Sequence, residues 1–143
     1  MKYFLLIMFF LTTTAHAEQY IIDSLGYGNP PLYEALTARA QQLTLSDDNA
    51  EQHRVLIVNT DDGIPSLNKN DFVHADTIIL MGKENERSMI ELLGYGVSAP
   101  LVIIHNANDR DRREISKMTS VNMGNQSMVA EKIFEQISRV NKE

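Results

Sequence analysis

Three continuous apolar runs, each bounded by polar or charged residues, punctuate this chain: "RVLIVNT" at 54–60, "DTIILMG" at 76–82 and "LVIIHN" at 101–106. Short runs rich in Val, Ile and Leu, without period-two alternation, predict strands buried on both faces, as in the parallel part of a covered sheet. Around them the spacing changes to threes and fours. Leu32, Ala35, Leu36, Ala40 and Leu43 predict a helix, with Asn29 as its cap and Pro30 in its first turn. Glu84 to Leu93 predict a second helix, with acids near its start and Gly94 at its stop. Val129, Ile133, Phe134, Ile137 and Val140 form one stripe on a closing helix that Asn125 is placed to cap. Tyr20 to Ile22 read as a short first strand, and "ISKMTSV" (115–121) as an edge strand. The order β-α-β-loop-β-α-β-β-α predicts an α/β fold: a single three-layer domain with a mixed sheet, its strand order left open.

The first 17 residues, "MKYFLLIMFFLTTTAHA", follow a different logic. Lys2 supplies a positive start, Tyr3 to Leu11 an apolar run, and Ala15-His16-Ala17 a small-x-small cleavage site. This is the pattern of a cleaved signal peptide over 1–17, which leaves 18–143 as the domain. The apolar run is too short to span a bilayer, which takes about 20 residues. The expected location is therefore the periplasm, with no stable membrane insertion after cleavage.

Composition narrows the chemistry further. The chain has no cysteine, which excludes thiol exchange, a thiolate nucleophile, a cysteine metal site and a lipoprotein anchor. Exported domains of this size often lean on disulfides, so here burial alone must hold the core. Removing the signal takes Lys2 from the 13 basic side chains and leaves 12 against 19 acids, a balance of −7. A net negative chain repels phosphate backbones, so no nucleic-acid partner is expected.

The candidate chemistry is sparse. "IVNTDDGIP" (57–65) lies past the end of an apolar strand, where α/β proteins place functional loops. Asp61 and Asp62 are hard-cation ligands by type, while Gly63 and Pro65 make the stretch turn chemistry. No further ligands fall at a metal-binding spacing, so neither a metal nor another cofactor is expected. "HNANDRDRRE" (105–114) is rich in oxygens, but Arg110, Arg112 and Arg113 sit among them and no glycine makes the calcium-loop turn. A self-paired hairpin tip is expected there. Of His53, His74 and His105, only His105 ends a buried strand beside acids. No serine stands in a G-x-S-x-G elbow, so no catalytic residue is assigned. Met118, Met123 and Met128 are expected to fill core.

"MIELLGYGVSAPLVIIHN" (89–106) resembles the helix, loop, proline and strand of a thioredoxin-like domain. The resemblance matches Pro100 to that fold's cis-proline, Ile115 to Val121 to its next strand, and Asn125 to Asn141 to its closing helix. It places Asp61 to Pro65 where thioredoxins carry Cys-x-x-Cys. "IVNTDDGIP" also resembles the "IVNTDDAIP" segment of the YtfJ-like family of exported, thioredoxin-related proteins. The resemblance implies a thioredoxin-like fold, favoured over a small Rossmann-like sheet, that lacks the redox cysteines. Its implied function is an exported, redox-inactive binding or accessory module. Loops around Gly63–Pro65 and Ser98–Pro100 would lie together and hold an extended peptide or another periplasmic protein. Two alternatives stand beside it. One is a metal-assisted hydrolase using Asp61 and Asp62, with His105 as an optional third group. The other is an accessory factor of a secretion or conjugation apparatus.

Overall fold

A computed structural model of the chain describes residues 18–25, 31–43, 51–61, 69–120 and 124–141. In chain order its elements are β1 (Glu18–Leu25), α1 (Pro31–Leu43), β2 (Glu51–Asn59), α2 (Lys69–His74), β3 (Thr77–Met81), α3 (Asn85–Leu93), β4 (Leu101–His105), β5 (Glu114–Met118) and α4 (Gln126–Asn141). The five strands form one sheet in the order β1-β2-β3-β4-β5. β1, β2 and β3 run parallel, whereas β4 and β5 are antiparallel to their neighbours.

Side-chain alternation along the strands sends alternate residues to opposite faces. Val55, Ile57, Ile79, Met81, Leu101 and Ile103 point to one face, under Leu32, Leu36 and Ala40 of α1 and Val129, Ile133, Phe134 and Ile137 of α4. Val58, Ile78, Leu80, Val102 and Ile104 point to the other, under Met89 of α3 and beside Phe72 of α2. The expected three-layer α/β arrangement with a mixed sheet is therefore present. Every residue of β3 and β4 is buried, because helices cover both faces of these inner strands. Ile57, Ile79 and Ile103 have no exposed surface, and burying such a side chain contributes about 1.5–3 kcal/mol. With no cysteine in the chain, this two-sided core carries the stability.

The two parallel crossovers step the same way along the sheet, β1 to β2 to β3, yet α1 lies on one face and α2 on the other. They therefore have opposite handedness, and one departs from the right-handed rule for such units.

Local features differ from the sequence expectation in three places. The stretch before β3 contains α2, a six-residue helix. Its one large apolar anchor, Phe72, is too little to make a stripe in the sequence pattern. β1 runs for eight residues because it pairs in register with β2 from Glu18↔Glu51 to Leu25↔Val58, and backbone pairing extends past its apolar stretch. β5 begins at Glu114 and ends at Met118. Asn125 caps α4 as expected, its Oδ1 accepting the Met128 N–H at 3.1 Å. The signal-peptide assignment to 1–17 and the Asn29–Pro30 cap lie outside the described residues. No helix among the described residues is long and apolar enough to cross a membrane.

Gly94 closes α3 in the left-handed region at φ 82°, its N–H donating to the Ile90 carbonyl at 2.9 Å. A Cβ placed there would meet nothing within 4 Å, so only the backbone conformation opposes a side chain. Gly94→Ala is accordingly expected to cost about 1 kcal/mol, seen as a small drop in the urea midpoint with an unchanged slope.

Candidate functional site

The carboxyl ends of β2 and β3 and the segment leading into β4 meet at one end of the sheet. Past β2, the Thr60 N–H donates to the Met81 carbonyl at 2.9 Å, continuing the ladder. Asp61 then turns away, its N–H donating to Asn59 Oδ1 at 3.0 Å in an Asx turn. Its own Oδ1 accepts the Lys83 N–H at 3.1 Å, tying the end of β2 to the β3–α3 link. The Gly82 N–H in turn donates to the Pro100 carbonyl at 3.3 Å. Three segments distant in sequence are thus stitched side by side.

Asn85 holds them from below. It is 2% exposed, and its amide nitrogen donates toward the carbonyls of Ala99 at 2.8 Å, Pro100 at 3.0 Å and Leu80 at 3.2 Å. Its Oδ1 accepts the Thr60 hydroxyl at 2.7 Å. Burying an amide is tolerable only when its hydrogen-bonding groups are met, and here they are. Gly82 allows the close approach: at φ 141°, a Cβ would lie 2.5 Å from Thr60 Oγ1 and 2.6 Å from the Asp61 nitrogen.

Above this clamp opens a cleft of about 640 Å³, lined by Asp61, Lys83, Ser98, Ala99, Pro100 and Thr119, with Met81 and Gly82 completing the wall. Of the residues singled out from the sequence, Asp61, Ser98 and Pro100 come together here. Asp62, Gly63 and Pro65 lie outside the described residues. The strand beside β4 is β3, so Gly82 directly abuts Pro100 and Asp61 reaches the cleft from one strand further away. The resemblance to thioredoxin-like domains implies a cis-proline at Pro100. The Ala99–Pro100 bond is trans.

His105 does not join this group. β4 runs antiparallel to β3, so Leu101 pairs with Met81 at the cleft while His105 pairs with Thr77 at the far end. Four residue steps along β4 separate the two ends by roughly 13 Å. His105 and Asp61 therefore do not converge, because strand direction places them at opposite ends of the sheet. His105 is instead 1% exposed, with Nε2 2.9 Å from Ser116 Oγ. Burial, followed by the positive fields of His53 and Arg139, lowers its pKa from 6.5 to about 4. The ring is neutral at physiological pH.

The hairpin turn 106–113 bonds largely within itself, as expected, through backbone groups more than through charge pairs. Asn106, at φ 50°, reverses the chain. Its amide donates to the Arg112 carbonyl at 3.1 Å, and Asn108 reaches Asp76 Oδ1 at 3.0 Å. Arg113 donates to the Ala107 carbonyl at 2.9 Å and lies over the Phe72 ring. Among the described residues, no ion pair links the arginines of this turn to its aspartates. Backbone carbonyls and Asp76 satisfy the turn in place of pairing between its own charges. Met118 packs against the core, whereas Met128 is 47% exposed. Met123 lies outside the described residues.

Asp61 spends one carboxylate oxygen on the loop itself, and among the lining residues no imidazole stands beside either hydroxyl. Among the described residues, no three His, Cys, Asp or Glu side chains cluster as a metal would need. Gly82 and Asn85 escaped sequence reasoning, since "MGKEN" reads as a strand stop and a helix start and only the packed structure shows what each touches. No protein-family model, curated protein or solved structure matches this chain.

Proposed function

We propose that this chain is an exported, redox-inactive, thioredoxin-like binding or accessory module that holds an extended peptide segment of another periplasmic protein in the Asp61–Lys83–Pro100 cleft. The observation that carries this reading is the convergence of three separate segments on one open cleft, with Asp61, Gly82 and Pro100 stitched together. Its wall offers apolar surface from Met81, Ala99 and Pro100 beside the hydroxyls of Ser98 and Thr119 and the ammonium of Lys83. A few polar groups among apolar ones suit an extended backbone with alternating side chains. Export is supported by the 1–17 pattern, and the lack of redox chemistry follows from the absence of cysteine. The order α3, Pro100, β4, β5, α4 supports the thioredoxin-like likeness, and the binding role needs only the backbone geometry of this end, not a thiol.

A photo-crosslinking residue at Ser98 in the exported chain tests the proposal, with the same residue at Glu131 on the exposed side of α4 as control. The expected result is a discrete adduct with one periplasmic protein from Ser98 and none from Glu131. Equal labelling from both positions, or labelling from neither, overturns it.

A further inference from the structure

At the end of the sheet away from the cleft, the face beneath α4 changes character. Where the buried middle of that face is apolar, this end carries a polar row: Tyr20 on β1, His53 on β2, Thr77 on β3, His105 on β4 and Ser116 on β5. His53 Nε2 lies 2.9 Å from Thr77 Oγ1, and His105 Nε2 lies 2.9 Å from Ser116 Oγ. His105 Nδ1 is buried and has no partner among the described residues. A buried N–H without an acceptor is costly, whereas a bare ring nitrogen is tolerated, so we assign the proton to Nε2, donating to Ser116. Over this row, Gln136, Arg139 and Val140 of α4 share a cleft of about 240 Å³ with Glu114 and Ser116.

We propose that this seam is an acid-opened latch, in which protonation of His105 releases the last turns of α4, from Gln136 onward, while the strands stay paired. A protonated imidazole carries two N–H donors, and the closed seam supplies an acceptor for only one. The surrounding charges do not compensate. His53 faces it from β2 and Arg139 from α4, both disfavouring a further positive charge. Glu114, opposite His105 on β5, lines the cleft over this row, and both it and Glu51, two residues before His53 on β2, are exposed to screening solvent. β3 contributes only the Thr77 hydroxyl, and Tyr20 on β1 lies against the His53 ring. Lifting the end of α4 restores water to the imidazole and removes the Arg139 charge from above it. Within that end Ile137 is the one fully buried side chain among the described residues, while Gln136, Ser138, Arg139 and Val140 are not.

The sign follows from linkage. A histidine held near pKa 4 when closed, and rising toward 6.5 when water returns and Arg139 leaves, binds more protons in the open state between those values. The closed form is thus favoured above pH 6.5 and progressively lost as pH falls toward 4. Opening should become on the order of 100-fold more favourable between pH 7 and pH 4.

Amide hydrogen exchange, resolved by residue and corrected for intrinsic rates, tests this across pH 4–7. The expected result is that protection over 136–141 falls by about that factor while Ile78 to Leu80 of β3 stay protected. In His105→Gln, whose amide can still donate to Ser116 but does not titrate, the pH dependence of 136–141 should vanish. Should that variant fail to fold, Arg139→Gln at an exposed position should reduce the dependence by removing one like charge. A fall that persists in His105→Gln, or that is unchanged in Arg139→Gln, overturns the proposal. So does parallel loss of protection in β3, which would mark global acid unfolding.

Discussion

A Gly82→Ala chain is expected to lose roughly 3–5 kcal/mol of stability, combining the strain of a non-glycine residue at positive φ with overpacking. Gly82 stands at φ 141°, and an added Cβ would sit 2.5 Å from Thr60 Oγ1, 2.6 Å from the Asp61 nitrogen and 2.8 Å from the Thr60 carbonyl carbon. Two of these three neighbours are backbone atoms inside the β2–β3 junction, which the Thr60-to-Met81 hydrogen bond holds in place. A side chain can swing aside, but this backbone cannot move without parting the strands. Trimming the hydroxyl in a Thr60→Ala background should therefore recover little. Against a total stability of about 5–15 kcal/mol for a domain, such a loss leaves a chain that is marginal or unfolded. Equilibrium urea denaturation measures it directly. A midpoint within the error of the parent would show that the junction yields and that Gly82 is not required for close approach.

The second large effect is expected at Asn85, where aspartate changes one NH₂ group to oxygen and almost nothing in size. The amide nitrogen serves the carbonyls of Leu80, Ala99 and Pro100. A carboxylate there would face three acceptors with no donor between them, in a position 2% exposed. Leaving a charge buried and unpaired costs about 3–5 kcal/mol. The Thr60 hydroxyl would still donate to the remaining oxygen, but it cannot offset three opposed carbonyls. The penalty should depend on pH in a definite direction. The folded state favours the protonated acid, so its pKa rises above the unfolded value near 3.9. Stability relative to the parent is then lost as pH climbs from that value through the raised one, and regained on acidification. Urea midpoints of Asn85→Asp and parent at pH 5 and pH 8 read this out: the gap should be wider at pH 8. An equal gap at both would mean that the site admits water and that Asn85 does not clamp a dry junction. Because Asn85 anchors Ala99 and Pro100, partial folding of this variant should also abolish the Ser98 crosslink.

Much of the architecture was legible from local pattern. The runs at 54–60, 76–82 and 101–106 are too apolar for a one-sided sheet, and they form the inner strands β2, β3 and β4. The stripe from Val129 to Ile137 faces the core as its spacing requires, and Gly94 and Asn125 act at the helix ends where their chemistry suits them. Helix α2 was not legible, since six residues with one large apolar anchor carry no periodicity. The site was legible in part. Asp61, Ser98 and Pro100 stand out as turn and loop chemistry next to buried strands, and they share a cleft. Their supports did not stand out, because Gly82 and Asn85 matter through contacts with Thr60, Ala99 and Pro100 that have no local signature.

What the sequence determined by itself is which segments bury both faces, which bury one, and that no thiol can act, for these follow from composition and spacing along the chain. The tertiary structure alone decided which ends meet. An apolar run has the same pattern whether its strand points up or down, so nothing within "LVIIHN" says that Leu101 lies at the cleft and His105 beneath α4. The antiparallel pairing of β4 with β3 makes that assignment. It leaves Pro100 at the open, cleft-bearing end and His105 as a buried, neutral imidazole at the other, because strand direction is a property of the assembled sheet and not of any one strand.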